Sequence, residues 1–199
     1  MKVLGISGRV GSGKNEVAKI LEKAGAIIVD ADVLGHELLE HDQTVRERVA
    51  FAFPECVDAA SGSINRNVLG DIVFSKRERL LTLNQIVHPT LRERVAAEVE
   101  KRRSGTAEVI AINAALFHEL QLRTLCDWVW AVDADTAVVL KRLRARGWST
   151  PKALAVMSAQ RPSTIYIQEA DMVIRNNADV ESLRHAVQQA YKKFLIGTV

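Results

Sequence analysis

Gly8-Arg9-Val10-Gly11-Ser12-Gly13-Lys14-Asn15 is the stretch on which the reading of the fold turns. Before it runs Val3-Leu4-Gly5-Ile6-Ser7, short and apolar, the pattern of a strand buried on both faces. After it Val17, Ala18, Ile20, Leu21 and Ala24 recur at helical spacing, and Gly25 stands just past the end as a stop. The loop thus joins a strand to the N-terminus of a helix. In that context G-x-x-x-x-G-K is a phosphate cradle. Its glycines let backbone N–H groups point at phosphate oxygens, the helix N-terminus adds partial positive charge, and Lys14 reaches the β and γ phosphates as a point charge. The pattern predicts an exposed loop in which Gly8, Val10, Gly11, Ser12, Gly13, Lys14, Asn15 and Glu16 bind ATP. Asn15 departs from it, standing where a Ser or Thr hydroxyl normally ligates magnesium.

Further along, Ile27-Ile28-Val29 reads as a second strand closed by Asp30-Ala31-Asp32. The i, i+2 spacing predicts that both carboxylates share one side of the strand end. One can accept a proton from an acceptor hydroxyl there, and the other can cap a helix beginning near Leu34. From 34 to about 103 the chain is mostly helical, with one apolar stripe in Leu80, Leu83 and Val87 and another in Leu91, Val95 and Val99. Pro89, between them, fits a first helical position, where its missing N–H costs nothing. Val109-Ile110-Ala111-Ile112 and Trp128-Val129-Trp130-Ala131-Val132 are two more buried strands. A helix over 136–146 follows, then a breaker, Gly147-Trp148-Ser149-Thr150-Pro151, that opens a mobile lid. Met172-Val173-Ile174 is a fifth strand, and the last helix carries Val180, Leu183, Val187, Ala190 and Phe194 on one face.

Strands alternating with helices predict an α/β, P-loop NTPase fold, a five-stranded parallel sheet with helices on both faces. The expected organisation is a single kinase domain. Its core covers 1–33, 104–146 and 170–199, a helical acceptor-binding insertion about 34–103, and a short lid about 147–169.

The 199 residues are 48% hydrophobic and 26% charged, the balance of one globular domain. A net charge of +3 is too small and scattered for a nucleic-acid footprint, though it suits a polyanionic small molecule. Cys56 and Cys126, with no CxxC, read as buried thiols of a reducing compartment. Glycine at position 5 comes too early for a signal peptide, and no run approaches the ~20 apolar residues of a membrane helix. The expectation is a soluble, cytoplasmic protein with no membrane, nucleic-acid or obligate protein partner.

These motifs together resemble the dephospho-coenzyme A kinase family from end to end. The family's T-G-G-I-G-S-G-K-S is matched by Ser7-Gly8-Arg9-Val10-Gly11-Ser12-Gly13-Lys14-Asn15, and its D-A-D by Asp30-Ala31-Asp32. Two segments are specific to it. They are Gly62-Ser63-Ile64-Asn65-Arg66-Asn67-Val68-Leu69-Gly70-Asp71-Ile72-Val73-Phe74 and Leu83-Asn84-Gln85-Ile86-Val87-His88-Pro89. Asn113-Ala114-Ala115-Leu116-Phe117-His118-Glu119 resembles the family's D-x-P-L-L-F-E. Arg142 and Arg146 match the arginines entering the lid, Gln160 its closing glutamine, and Ala170-Asp171 with Asn176 the strand lining the adenine.

The resemblance implies transfer of the ATP γ-phosphoryl to the ribose 3′-hydroxyl of dephospho-coenzyme A, with magnesium as cofactor. It implies Asp32 as base, Lys14 and Arg146 as further catalytic groups, and Arg142 and Asn176 at the nucleotide. Asp32, His88, Leu116 and Glu119 fall to the acceptor, although His88 before a proline fits a helix cap equally well. Departures from the family are Asn15 and Asn113 at the two metal positions, His36 for an arginine, Tyr166 for a lid lysine, and a lid one residue short. An asparagine oxygen can ligate a hard cation or its water but brings no charge. A weakly held metal is expected, mainly through ATP phosphates and Asp32. Two other readings stay open: a P-loop kinase for another small hydroxyl acceptor, and a nucleotide-binding pseudokinase. A GTPase is disfavoured because no N-K-x-D segment follows the fourth strand.

Overall fold

A computed structural model of the chain describes residues 1–197 and centres on β1 (Lys2–Ser7). β2 (Ile27–Asp30), β3 (Val109–Asn113), β4 (Trp128–Asp133) and β5 (Met172–Arg175) join it in a parallel five-stranded sheet ordered β2-β3-β1-β4-β5. With every strand parallel and β1 in the middle, all five carboxyl ends lie along one edge. That edge is where ligands bind in open α/β sheets. The register pairs Asp30 with Asn113 and Ile6 with Asn113, so the ends of β2, β3 and β1 are level there.

One face of the sheet presents Leu4, Ile6, Ala111, Trp130 and Val132 to α1 (Lys14–Lys23) and to α9 (Val180–Ile196), late in the chain. Val17, Ile20 and Leu21 come from α1, and Leu183, Val187, Ala190, Tyr191 and Phe194 from α9. Burying such side chains, each worth about 1.5–3 kcal/mol, fixes β1 against α1 and therefore the loop between them. Val180 is not part of this face. It sits at the first turn of α9, half exposed, and Tyr191 takes its place in the stripe.

Contacts divide the chain into two compact units. One is Met1–Asp30 with the chain from Glu98 onward, and the other is Ala31–Ala97. The second contains α2 (Ala31–His41), α3 (Gln43–Ala52), α4 (Arg66–Ser75) and the start of α5 (Arg77–Arg103). Asp42 caps α3 by accepting from Val45 N–H at 2.9 Å, and Asn65 caps α4 by accepting from Asn67 and Val68. Much of the segment from Gly62 to Phe74 therefore has a structural role, since Asn65 starts α4 and Leu69 and Val73 are buried.

Three expectations about local structure are corrected. Pro89 does not begin a helix but lies inside the 27-residue α5, which runs straight through it. Apolar residues on both sides of Pro89, buried at Val87, Leu91, Val95 and Val99, hold the helix together despite the missing N–H. Asp30 ends β2 but Asp32 is already in the first turn of α2, so the two do not share a strand face. The breaker after α6 (Thr136–Ala145) is a single turn at Gly147, and Pro151 helps start α7 (Thr150–Ala159), which Ser149 caps. α8 (Ser163–Gln168) follows, so 147–169 is largely helical.

Cys56 is buried and Cys126 half-buried, both as free thiols. Desolvation pushes the Cys126 thiol up to about 12, which makes it a poor nucleophile. Among the described residues no helix is long and apolar enough to cross a membrane.

Candidate active site

The loop from Gly8 to Gly13 leaves the end of β1 and turns into α1. It is not exposed, as the sequence had suggested. Gly8, Gly11, Ser12 and Lys14 are all buried, while Asn15 faces outward. Two glycines are required by geometry. Gly8 has φ +143° and a Cβ there would lie 2.3 Å from the Val132 carbonyl oxygen. Gly13, at φ +106°, would bring a Cβ to 2.1 Å from Asn176 Nδ2. Lys14 Nζ curls back over the loop and donates to the carbonyls of Gly8 (2.9 Å) and Arg9 (3.3 Å). An ammonium held there stands at the mouth of the cradle, where phosphate charge would arrive.

Polar groups just after β5 and from the helices after β4 fasten one flank of the loop. Asn176, buried after β5, donates through Nδ2 to the Ser12 carbonyl at 2.7 Å and accepts from Arg142 Nη2 at 3.0 Å. Arg142 Nη1 lies 3.4 Å from the same carbonyl. Burial, aided by the nearby charge of Arg146, lowers the Arg142 guanidinium from its ordinary range. It remains a cation at neutral pH. Gln160, the residue that ends α7, accepts the Val10 N–H at 2.9 Å, and Arg9 donates to the Met157 carbonyl at 2.6 Å. Val139, Leu143, Ala153 and Met157 form a small apolar cluster between α6 and α7, with Val10 of the loop packed against it.

The other flank is the corner where β2 and β3 end. Asn113 is fully buried, and its Nδ2 donates to Asp30 Oδ2 at 2.8 Å and to Asn15 Oδ1 at 3.1 Å. Its Oδ1 is buried without a hydrogen-bond partner among the described residues. No group of three or more His, Cys, Asp or Glu side chains able to hold a metal gathers among the described residues.

The chain therefore brings together Gly8, Val10, Gly11, Ser12, Gly13, Lys14, Asn15, Asn113, Arg142 and Asn176. Glu16 lies in the first turn of α1 beside Lys19, at 3.9 Å. Arg146 caps the end of α6 and is exposed. Leu116 and Glu119 lie in the turns after β3. Glu119 pairs with Arg161 at 3.3 Å, just ahead of α8. Asp32 and His88 belong to the other unit, Asp32 half-buried at the start of α2 and His88 within α5.

Periodicity gave no signal for several groups around this loop. Arg9 turns to the Met157 carbonyl. His118 pairs through Nδ1 with Glu169 at 2.5 Å and packs edge-on against Tyr166, with ring centroids 4.7 Å apart. Tyr166 is buried, and desolvation pushes its phenol up to about 12. It is a packing residue of α8, chemically unlike the lysine usual at that position in the family it resembles.

A family model described as dephospho-CoA kinase matches residues 2–182. The "Dephospho-CoA kinase" of Dehalococcoides mccartyi is 37% identical over 196 residues, covering 98% of each chain. That of Carboxydothermus hydrogenoformans is 33% identical, covering 98% of this chain and 95% of its own. A crystal structure from Thermus thermophilus superposes with a TM-score of 0.80 at 29% identity, covering 96% of this chain and 97% of that one. The "Dephospho-CoA kinase from Campylobacter jejuni" and a shikimate kinase from Bacteroides thetaiotaomicron, at TM-scores of 0.71 and 0.57 and 20% and 12% identity, share the fold. Sheet order, phosphate loop and near-complete matching to kinases of one kind agree, and this chain belongs to the dephospho-CoA kinase family.

Proposed function

We propose that this protein transfers the γ-phosphoryl group of ATP to the ribose 3′-hydroxyl of dephospho-coenzyme A, in the cytoplasm, with magnesium as cofactor. The observation that carries the reading is the G-x-x-x-x-G-K loop at the end of the central strand, with buried Lys14 folded over its mouth. Phosphoryl transfer asks mainly for positioning and charge neutralisation. Backbone N–H groups from Gly11 to Asn15 and the N-terminus of α1 receive the phosphates, and Lys14 swings from the loop carbonyls to the β and γ oxygens. Arg142 and Asn176, already locked to the Ser12 carbonyl, hold the loop in shape beside the nucleotide. Arg146 approaches the transferring group from the end of α6.

Asp32 takes the proton from the acceptor hydroxyl. Its support is the Asp30-Ala31-Asp32 match and its place in the first turn after β2. The helical unit is the proposed seat of the acceptor, with His88 contributing there, and Leu116 and Glu119 contribute from the turns after β3. The corner offers the Asp30 carboxylate and the Asn15 amide oxygen, tied together by the Asn113 amide, which fits a magnesium ion whose shell comes mainly from ATP phosphates. Magnesium, when bound, offsets the charge on the β and γ phosphates.

The test is a panel of acceptors with magnesium-ATP: dephospho-coenzyme A, shikimate, gluconate and a nucleoside. Coenzyme A formation with little or no turnover of the others is expected. Turnover of another acceptor with none of dephospho-coenzyme A would replace the reading.

A further inference from the structure

Two oxygens from different elements converge on one side chain at the β2–β3 corner. Asp30 Oδ2 comes from the last residue of β2 and Asn15 Oδ1 from the first turn of α1. Both accept from the Nδ2 of Asn113, at 2.8 and 3.1 Å. An amide NH₂ has two hydrogens, and here each oxygen takes one. The orientation is dictated by chemistry. A carboxylate only accepts, so turning the Asn113 amide over would set oxygen against oxygen at Asp30 and lose that bond, whereas the Asn15 amide could turn with it. The Asn113 oxygen points instead into the protein, buried and without a hydrogen-bond partner among the described residues. It is not presented to anything that approaches the loop.

A small positive centre between a carboxylate and a carbonyl is what a cation or its water supplies. We infer that the Asn113 amide is a built-in substitute for that cation, holding Asp30 and Asn15 in place before any metal arrives. Asn113 is then a positioning residue and not a metal ligand, and Asp30 is the carboxylate of this corner that a metal arriving with ATP meets. An aspartate at 113 would place two carboxylates about 3 Å apart, which cannot both ionise comfortably without a cation between them. An acid at this position would favour a cation in the corner, and the asparagine removes that need.

The metal half of the inference rests on the proposed kinase reading, but the test needs neither nucleotide nor acceptor, so its outcome is independent of turnover. Thermal unfolding is measured in chelator and in millimolar magnesium for four proteins: the natural sequence, Asn113→Asp, Asp30→Asn, and the exchange Asp30→Asn with Asn113→Asp. The natural protein should respond to magnesium by about a degree or less. Asn113→Asp should melt roughly 5 °C or more lower in chelator and recover most of the loss in magnesium. The exchanged pair rebuilds an amide–carboxylate contact in reverse. It should regain most of the stability without magnesium, and it decides the matter if Asn113→Asp alone does not fold. Asp30→Asn should be insensitive to magnesium. Asn113→Asp that is as stable as the natural protein in chelator and blind to magnesium would overturn the inference. So would an exchanged pair no better than Asn113→Asp alone.

Discussion

On the β4–β5 flank of the phosphate loop, Asn176 and Arg142 grip the Ser12 carbonyl and Gln160 takes the Val10 N–H, with guanidinium charge close at hand. On the β2–β3 flank a single neutral amide, Asn113, ties Asp30 to Asn15. Guanidinium and amide groups lie beside the loop on the first flank, and the second carries the Asp30 carboxylate. The two flanks of one loop are thus held by different chemistry, guanidinium and amide donors on one side and a neutral amide bridge on the other.

Removing charge from the strong flank should have the largest effect. Lys14→Ala should abolish measurable turnover and weaken ATP binding, as read by product assay and calorimetry. Because Lys14 is buried and bonded to two loop carbonyls, the variant should also lose about 1–2 kcal/mol of stability while still folding. Unchanged affinity and activity would remove the loop from the mechanism. Next comes Arg146→Ala, expected to lower kcat by about 10³-fold or more, the scale of an arginine finger, with little change in the KM for ATP. A change in KM alone would make Arg146 a ground-state binder.

The carboxylates sharpen the other half of the comparison. Asp32→Asn should lower kcat by roughly 10²-fold, the usual effect of losing a general base. Asp30→Asn should lower it less and raise the magnesium needed for half-maximal rate. If the two effects on kcat came out in the opposite order, the base would be Asp30.

The smallest effect concerns pH. Tyr166 keeps its phenol protonated to about 12 because burial disfavours the anion, whereas an unfolded tyrosine ionises near 10. Its contribution to stability is thus constant below pH 10 and lost as pH rises from about 10 to 12. Ultraviolet titration of phenolate against unfolding in the same buffers checks this. A phenol titrating at its ordinary value in the folded protein would show that Tyr166 is not packed beneath His118.

Much of this architecture was legible in the chain because it rests on local patterns. Short apolar runs gave all five strands, and the glycine spacing before α1 gave the loop and its lysine. Boundaries were harder, since propensity is local and packing is not. Ala31 and Asp32 join α2 instead of extending β2, and α5 passes through Pro89 because buried residues on both sides of it outweigh one lost hydrogen bond. The resemblance named Arg142, Gln160 and Asn176, but which loop atoms they hold was not legible. Gln160 is 150 positions from Val10, Asn176 is 164 from Ser12, and Asn113 is 83 from Asp30. No periodicity within one element relates such pairs; only the parallel sheet, by aligning its carboxyl ends, brings them together.

The proposed reaction is phosphorylation of dephospho-coenzyme A by ATP. Its most direct test is chromatographic and mass-spectrometric analysis of the natural protein incubated with magnesium-ATP and dephospho-coenzyme A. The expected product is coenzyme A carrying the new phosphate on the ribose 3′-oxygen, formed in equal amounts with ADP, and no such product from Lys14→Ala in parallel. ATP bound without any coenzyme A at any magnesium concentration, with the acceptor shown to bind, would contradict it.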